Sequence, residues 1–288
     1  MSIITLTTDF GVGSPYVASM KGVILSLNPR AALVDITHAV PPQDVRHGAH
    51  ALADAARYFP AGTIHIAVVD PGVGTQRGII YANIGTQRYI APDNGLLSLV
   101  AKPDDTVEAY ALTFPQFWLP NVSNTFHGRD IMAPVAAHIS LGLDPRQLGP
   151  RIDRIVQLDL AAPRVNAKEI RGEVTFVDSF GNLITNITPE MLRTAGIEPA
   201  QATILCGGQR LTGILRAYAD APLGPPISRS ALRFAPIRRL AIPATGTAPA
   251  AACLALISSS GYLEIAVAHG NAAESLELER GAPVVVLG

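Results

Sequence analysis

Thr63-Ile64-His65-Ile66-Ala67-Val68-Val69 runs without a break into Asp70-Pro71-Gly72-Val73-Gly74-Thr75-Gln76-Arg77. The first part is β-branched and almost wholly apolar, the composition of a strand buried on both faces of a helix-covered sheet. It ends abruptly on a carboxylate. A Pro/Gly loop follows, and a guanidinium stands seven residues after the acid. In open α/β sheets, ligands bind in the crevice outside the carboxyl ends of the strands. A charge at such an end, followed by glycines that let backbone approach a ligand, marks a candidate site. On this segment alone, an Asp that only orders its own turn is an equal reading.

Outward from this strand, the flanking segments repeat the pattern. Ile3 to Thr7 reads as a short strand that also ends on an acid, Asp9. Val17, Met20, Val23, Ile24 and Leu27 have helical spacing, which predicts a helix from about Pro15 to Leu27 with the proline in its tolerant first turn. Ala32 to Ile36 is the next predicted strand, and Gln43-Asp44 leads into a helix ending near Arg57. Ile79–Asn83 and Arg88–Ala91 read as a hairpin-like pair, closed by Ala91-Pro92-Asp93-Asn94-Gly95 before a short helix. Val107–Leu112 and Arg129–Leu141 complete the series as strand and helix. Alternation of this kind predicts an α/β N-terminal domain, residues 1–160, with a mostly parallel sheet flanked by helices.

Beyond Leu160 short β runs dominate: Gly172–Val177, Leu183–Ile187, Ala202–Cys206, Ala252–Ile257, Leu263–Val267 and Pro283–Leu287. They predict a smaller, mainly β domain of sandwich or barrel type over residues 161–288. Ala221–Ala251 interrupts it with Pro222, Pro225, Pro226, Pro236, Pro243 and Pro249, too many for a regular helix or central strand. A surface-loop insertion is expected there.

Composition narrows the functional classes. With 48% hydrophobic and 16% charged residues and a net charge of −1, the 288-residue chain has no electrostatic footprint for nucleic acid or an anionic membrane. Cys206 and Cys253 lie in apolar runs and read as small buried hydrophobes, with no disulfide demanded. The N-terminus lacks the basic lead and apolar core of a signal peptide, and no uncharged run is long enough for a bilayer. A soluble, cytoplasmic protein is expected.

Three further segments carry candidate chemistry. Asp9, at a strand end, could accept from vicinal ribose hydroxyls, or simply cap its turn. His127, within Asn124-Thr125-Phe126-His127-Gly128-Arg129-Asp130, is placed to accept a proton, although a lone loop histidine is more often a solvated hydrogen-bonder. Arg129 and Asp130 read as structural charges at a helix start. Val177 to Asn186 is a Gly-centred polar turn between two β runs, an ordinary hairpin on its simplest reading. Asp44, His47 and His50 share helical spacing, but no third ligand pattern supports a metal, and an exposed helix face is the favoured reading. A Gly-x-Ser-x-Gly elbow, a P-loop and a Gly-x-Gly-x-x-Gly after the first strand are all missing, so serine hydrolysis, NTP hydrolysis and dinucleotide redox chemistry lack support.

Six segments, taken in order, resemble one family: Leu6-Thr7-Thr8-Asp9-Phe10-Gly11, Val69-Asp70-Pro71-Gly72-Val73-Gly74-Thr75-Gln76-Arg77, Ala91-Pro92-Asp93-Asn94-Gly95-Leu96-Leu97, Thr125-Phe126-His127-Gly128-Arg129-Asp130, Asp178-Ser179-Phe180-Gly181-Asn182-Leu183-Ile184-Thr185-Asn186 and Gly261-Tyr262-Leu263-Glu264-Ile265-Ala266. It is the S-adenosyl-L-methionine (SAM) hydroxide adenosyltransferases, relatives of the enzymes that make fluorinated and chlorinated adenosine. The resemblance spans almost the whole chain. It implies a barrel-like C-terminal domain and a homotrimer whose sites lie at subunit interfaces. It further implies hydrolysis of SAM to adenosine and L-methionine with neither metal nor cofactor. Asp70, Arg77 and His127 match the family's water-activating trio, and Asp9 the carboxylate that holds the ribose hydroxyls. Asp178 and Asn182 match positions that bind the methionine part and fix the substrate. Tyr218 matches an aromatic that packs on adenine, and Ser259 a contact to the amino-acid carboxylate. Two departures stand out. The stretch 221–251 replaces a short connection after Tyr218-Ala219-Asp220, and Ser258-Ser259-Ser260-Gly261 differs from the usual pattern.

The residue types suit that chemistry. Methionine leaves a sulfonium as a neutral group, so the weak nucleophile limits the rate, water having a pKa of about 15.7. Arg77 would pin Asp70 and hold its pKa down, which makes His127 the better candidate for proton acceptance near pH 7. The coupling of the two groups leaves the choice between Asp70 and His127 open. Halide-dependent 5′-halogenation is the alternative reaction, disfavoured because a carboxylate beside the nucleophile repels an anion. Binding of adenosyl compounds without catalysis is the non-enzymatic alternative, for which a base would be superfluous.

Overall fold

In the computed structural model, which describes residues 2–101, 107–220 and 253–288, the run quoted first is a strand buried at every position, β3 (Ile64–Val68). β3 pairs in parallel with β1 (Ile3–Thr8) and β5 (Gln87–Pro92), and β1 in parallel with β2 (Ala32–Thr37). β4 (Ile79–Ile84) is antiparallel to β5 and to β6 (Glu108–Ala111), which is antiparallel to β7 (Arg151–Ile152). The seven strands therefore run β2-β1-β3-β5-β4-β6-β7. Half of this sheet is parallel and half antiparallel, so the expected mostly parallel sheet is corrected to a mixed one. The cause is local. Ile84 pairs with Gln87, leaving Gly85 at φ +60° and Thr86 as a two-residue turn, too short for the crossover that a parallel pair needs.

Alternation along the strands sorts the helices onto two faces. α1 (Tyr16–Leu27) and α3 (Ala133–Ser140) set Met20, Ile24, Val135 and Ile139 against Ile4, Leu6, Ile66 and Val68. On the other face α2 (Val45–Ala56) packs Ala49 and Leu52 against Ala67, Val69 and Ile80. Asp44 begins α2, its carboxylate accepting from the His47 N–H at 3.0 Å, while His50 is buried on the packed face. The expected exposed face at Asp44, His47 and His50 is thus part cap and part core.

Two predicted helices change form. Residues 96–100 after Gly95 are bonded turns, where the Ser98 hydroxyl donates to the Gly95 carbonyl at 2.6 Å. The helix expected over Arg129–Leu141 begins as a π-turn at Gly128–Met132 before α3. Pro134 has no N–H to return to the Asp130 carbonyl, which accepts instead from the Leu119 N–H at 2.9 Å.

The chain divides into Met1–Asp159 and Leu160–Gly288. In the second unit β8 (Arg164–Asn166), β9 (Glu169–Val177), β10 (Leu183–Thr185), β11 (Thr203–Cys206), β12 (Gln209–Thr212), β13 (Cys253–Ile257), β14 (Leu263–Val267) and β15 (Pro283–Leu287) form one antiparallel sheet. Its order is β12-β11-β15-β9-β10-β14-β13, with β8 added to β9. After β12 the Leu215 N–H reaches the Ala255 carbonyl of β13 at 2.7 Å, so the sheet curls into a near-barrel around Ile170, Val174, Leu183, Ile204, Ile265 and Val286. Two short helices that sequence periodicity does not predict, α4 (Pro189–Thr194) and α5 (Ala272–Leu276), begin at the capping side chains of Thr188 and Asn271. Both cysteines are free. The expected insertion at 221–251 lies outside the described residues. Among those described, no helix is long and apolar enough to cross a membrane.

Candidate active site

Parallel pairing decides where the N-terminal candidates lie. Thr8 of β1 is level with Val68 of β3, so Asp9 and Asp70 leave neighbouring strands at the same edge of the sheet. β5 ends there too. Two residues past its end Asn94 donates its side-chain amide to the Val69 carbonyl at 2.9 Å, and the Asp93 N–H bonds the Gly78 carbonyl at 2.9 Å. These bonds tie down the residues just before Asp70 and just after Arg77.

The Asp70-to-Arg77 spacing folds back on itself. Arg77 Nε lies 3.0 and 2.9 Å from the two Asp70 oxygens, and Nη2 lies 2.5 Å from Oδ2. The side chains are only 11% and 5% exposed, so the pair is little screened. The same Nη2 is 2.9 Å from His127 Nδ1. Gly74 makes this meeting sterically workable: its φ is +77°, and a Cβ there would stand 2.5 Å from the Asn124 carbonyl oxygen. A side chain would push the loop away from the segment carrying His127.

Geometry also fixes a tautomer. A guanidinium only donates, so His127 Nδ1 must be the acceptor, and the neutral ring carries its proton on Nε2. Burial lowers the His127 pKa and the Arg77 charge lowers it further, outweighing Asp70 and Asp130. Between Asp70 and His127 as proton acceptors, this arrangement weighs against the imidazole. Its free-lone-pair nitrogen is already taken, and protonation would set a second cation against Arg77.

Behind His127, Asp130 is fully buried and accepts from Ser123 N at 2.8 Å and from Arg129 Nε at 2.6 Å. Burial pushes the Asp130 carboxyl up, but those bonds outweigh it and hold it below the ordinary range. Arg129 in turn covers the Phe126 ring at 4.9 Å, and Phe126 meets Phe10 and Tyr16 edge-on. The structural reading of Arg129 and Asp130 fits this arrangement. Asp9 accepts from the Gln43 N–H at 2.8 Å on Oδ2, while Oδ1 has no partner among the described residues. Gln43 adopts φ +66°, unusual for a non-glycine residue, to aim that N–H.

Asp178, Asn182 and Tyr218 gather in the C-terminal unit. Asp178 Oδ1 accepts from Phe180 N at 2.8 Å and Asn182 N at 2.9 Å, so this carboxylate also orders its own turn. Gly181 has φ +81° and would drive a Cβ to within 2.0 Å of Asn271, so the turn closes against that residue only as glycine. Asn182 Nδ2 lies 2.9 Å from Asp178 Oδ2 and 3.2 Å from the Tyr218 hydroxyl, which bonds Glu264 Oε1. Burial raises the Tyr218 and Glu264 pKa values, and the Glu264 bond raises Tyr218 further. A cavity of about 610 Å³ is lined by Phe180, Asn182, Tyr218, Val267, His269, Gly270 and Asn271. Ser259 lies elsewhere, exposed in the turn between β13 and β14, and is not among those lining residues. Asn94, Gln43 and Glu264 were not singled out by sequence reasoning. Asn94 and Glu264 do stand inside the quoted motifs, whereas Gln43 has no local signal.

The SAM hydroxide adenosyltransferase N-terminal domain profile matches residues 4–149, and its C-terminal domain profile matches residues 172–285. The chain belongs to that family. It is 37% identical over 290 residues to an (R)-S-adenosyl-L-methionine hydrolase of Thermus thermophilus, covering 97% of each. A fluorinase of Nocardia brasiliensis is 30% identical over 311 residues, covering 99% of this chain and 96% of its own. Among solved structures, an uncharacterized conserved protein of Thermotoga maritima superposes with a TM-score of 0.83 at 33% identity, covering 99% of this chain and all of its own.

Proposed function

We propose that this family member hydrolyses S-adenosyl-L-methionine to adenosine and L-methionine. The carrying observation is the closed Asp70–Arg77–His127 trio, a carboxylate and an imidazole held by one guanidinium at the carboxyl edge of the sheet. Hydrolase relatives at 37% to 44% identity support the reaction type. Those relatives are named for the (R) form, so the (R)-sulfonium epimer is the substrate proposed here.

In this reading one water sits between Asp70 and the His127 Nε2–H. Asp70 takes a proton as the water oxygen attacks C5′, and His127 donates to the developing hydroxide. The C5′–S electron pair leaves with sulfur, which turns from sulfonium to neutral thioether, so no acid is needed for departure. Arg77 holds both groups. Asp9, with one oxygen free, suits the ribose hydroxyls, and the cavity beside Tyr218 suits the nucleobase. The roles of Asp178 and Ser259 toward methionine, homotrimeric assembly with sites at subunit interfaces, and the independence from cofactor and metal rest on the family resemblance, and a cytoplasmic location is an expectation of the sequence alone.

The test is incubation with each sulfonium epimer, with and without chloride, and chromatography of the products. Adenosine in equal yield with and without halide supports the proposal. A halide-dependent 5′-chloroadenosine peak, or intact substrate after prolonged incubation, overturns it.

A further inference from the structure

Glu264 takes no part in the chemistry above, yet it is a carboxylate only 5% exposed within β14. Its neighbours Leu263 and Ile265 point into the near-barrel, whereas Glu264 shares the opposite face with Ala266, which packs on Leu254 and Leu256. A carboxylate in such a place needs a donor. Among the described residues its side-chain partner is the Tyr218 hydroxyl.

Donor and acceptor rules give the whole chain of bonds one direction. Asp178 Oδ2 can only accept, so the Asn182 atom 2.9 Å away is the NH₂ group. That same NH₂ lies 3.2 Å from the Tyr218 oxygen, which therefore accepts the second amide proton. The Tyr218 proton is then left for Glu264. Two carboxylates thus stand at the ends of the run, and both Asn182 protons are consumed between them. The polar atom that Asn182 has left for the cavity is its carbonyl oxygen, an acceptor. If Glu264 did not hold the hydroxyl proton, Tyr218 could turn and donate to Asn182, competing with Asp178 for the amide's orientation.

We propose that Glu264 is a specificity-determining positioning residue: through Tyr218 it keeps Asn182 presenting an acceptor, so the cavity selects a 6-aminopurine over a 6-oxopurine. The purine identity rests on the proposed function and moves Asn182 from the methionine part, where the resemblance put it, to the nucleobase beside Tyr218, whereas the acceptor polarity rests on the bond network alone. A site built around a paired polar group rejects an analogue that cannot pair, because the buried group is left without its partner. A 6-oxo group would also set one carbonyl against another.

Calorimetric binding of adenosine and inosine to the intact protein tests this without turnover. The wild type is expected to prefer adenosine by at least about a hundredfold. Glu264→Leu and Tyr218→Phe should shrink that ratio about tenfold, whereas Glu264→Gln, which keeps an oxygen for the hydroxyl, should retain it. A merely structural role would weaken both nucleosides in parallel and leave the ratio unchanged. Equal binding of the two nucleosides by the wild type, no binding of adenosine, or an unchanged ratio in folded Glu264→Leu each overturns the inference. Adenosine release from SAM alongside equal binding would sink this inference and leave the hydrolase proposal standing.

Discussion

His65 links the strands that carry the site, and its titration sets a measurable pH dependence of stability. The Gln87 side-chain NH₂ donates to the Ala56 and Phe59 carbonyls, both at 2.8 Å, which turns its oxygen to His65 Nε2 at 2.6 Å. His65 Nε2 must then carry the proton, and Nδ1 accepts from the Thr5 hydroxyl at 2.7 Å. This neutral ring is fully satisfied across β1, β3 and β5. Burial lowers its pKa from 6.5 to about 4, against a small opposing effect of Gln87. At about 1.4 kcal/mol per tenfold change in proton affinity, that depression is worth on the order of 3 kcal/mol. The sign follows from linkage. The unfolded chain binds the proton first, so the contribution is complete above pH 6.5 and is lost as pH falls toward 4. Urea unfolding of the wild type and of His65→Gln between pH 7 and pH 4 isolates the effect, because the other carboxyls and histidines titrate in both. The stability gap between the two proteins should close by on the order of 3 kcal/mol across that range. A gap that stays parallel at every pH would refute the reasoning.

Three further outcomes are expected. Asp70→Asn keeps the shape but loses the proton acceptor, so kcat should fall by at least about a hundredfold with little change in KM; steady-state kinetics on folded protein would expose an unaltered kcat. Gly74→Ala forces a left-handed backbone, costing on the order of 1–2 kcal/mol, and drives a methyl into Asn124. It should lower the thermal midpoint and most of the activity together, and wild-type activity in that variant would contradict the loop's role in joining Arg77 to His127. Because burial and Arg77 depress the His127 pKa, kcat/KM should stay flat as pH falls through 6.5 and decline only at lower pH; an acid limb centred at or above 6.5 in the pH–rate profile would show the opposite.

Much of the N-terminal unit is legible because local periodicity and burial agree there. The run at Thr63–Val69 can only be a buried strand, and the acid at its end inherits the sheet edge. Of the antiparallel half, the hairpin of β4 and β5 was legible as a pair, whereas the two-residue β7 is too short to show a strand pattern. Pro134 was the local signal for the broken helix at Gly128–Met132, outweighed in sequence by the apolar spacing around it. At the site, the spacing of Asp70 and Arg77 pointed to a pair. The tautomer of His127 could not be read, since it depends on which nitrogen meets a guanidinium fifty residues away in sequence. Glu264 was hidden for a similar reason. Inside Leu263-Glu264-Ile265-Ala266-Val267 it resembles one polar residue on a strand's outer face, and its partner Tyr218 lies 46 positions earlier. The family resemblance made up for this at Asp9 and the trio, where matched motifs stand in for contacts that no local pattern encodes.

In the proposed reaction the Asp70–Arg77–His127 trio delivers water to C5′. Turnover of S-adenosyl-L-methionine in water enriched in oxygen-18, with mass spectrometry of both products, tests it most directly. One heavy oxygen at the 5′ position of adenosine, none in methionine, and loss of labelled adenosine in Asp70→Asn are expected. Unlabelled adenosine, label in methionine, or undiminished labelled adenosine from Asp70→Asn would contradict it.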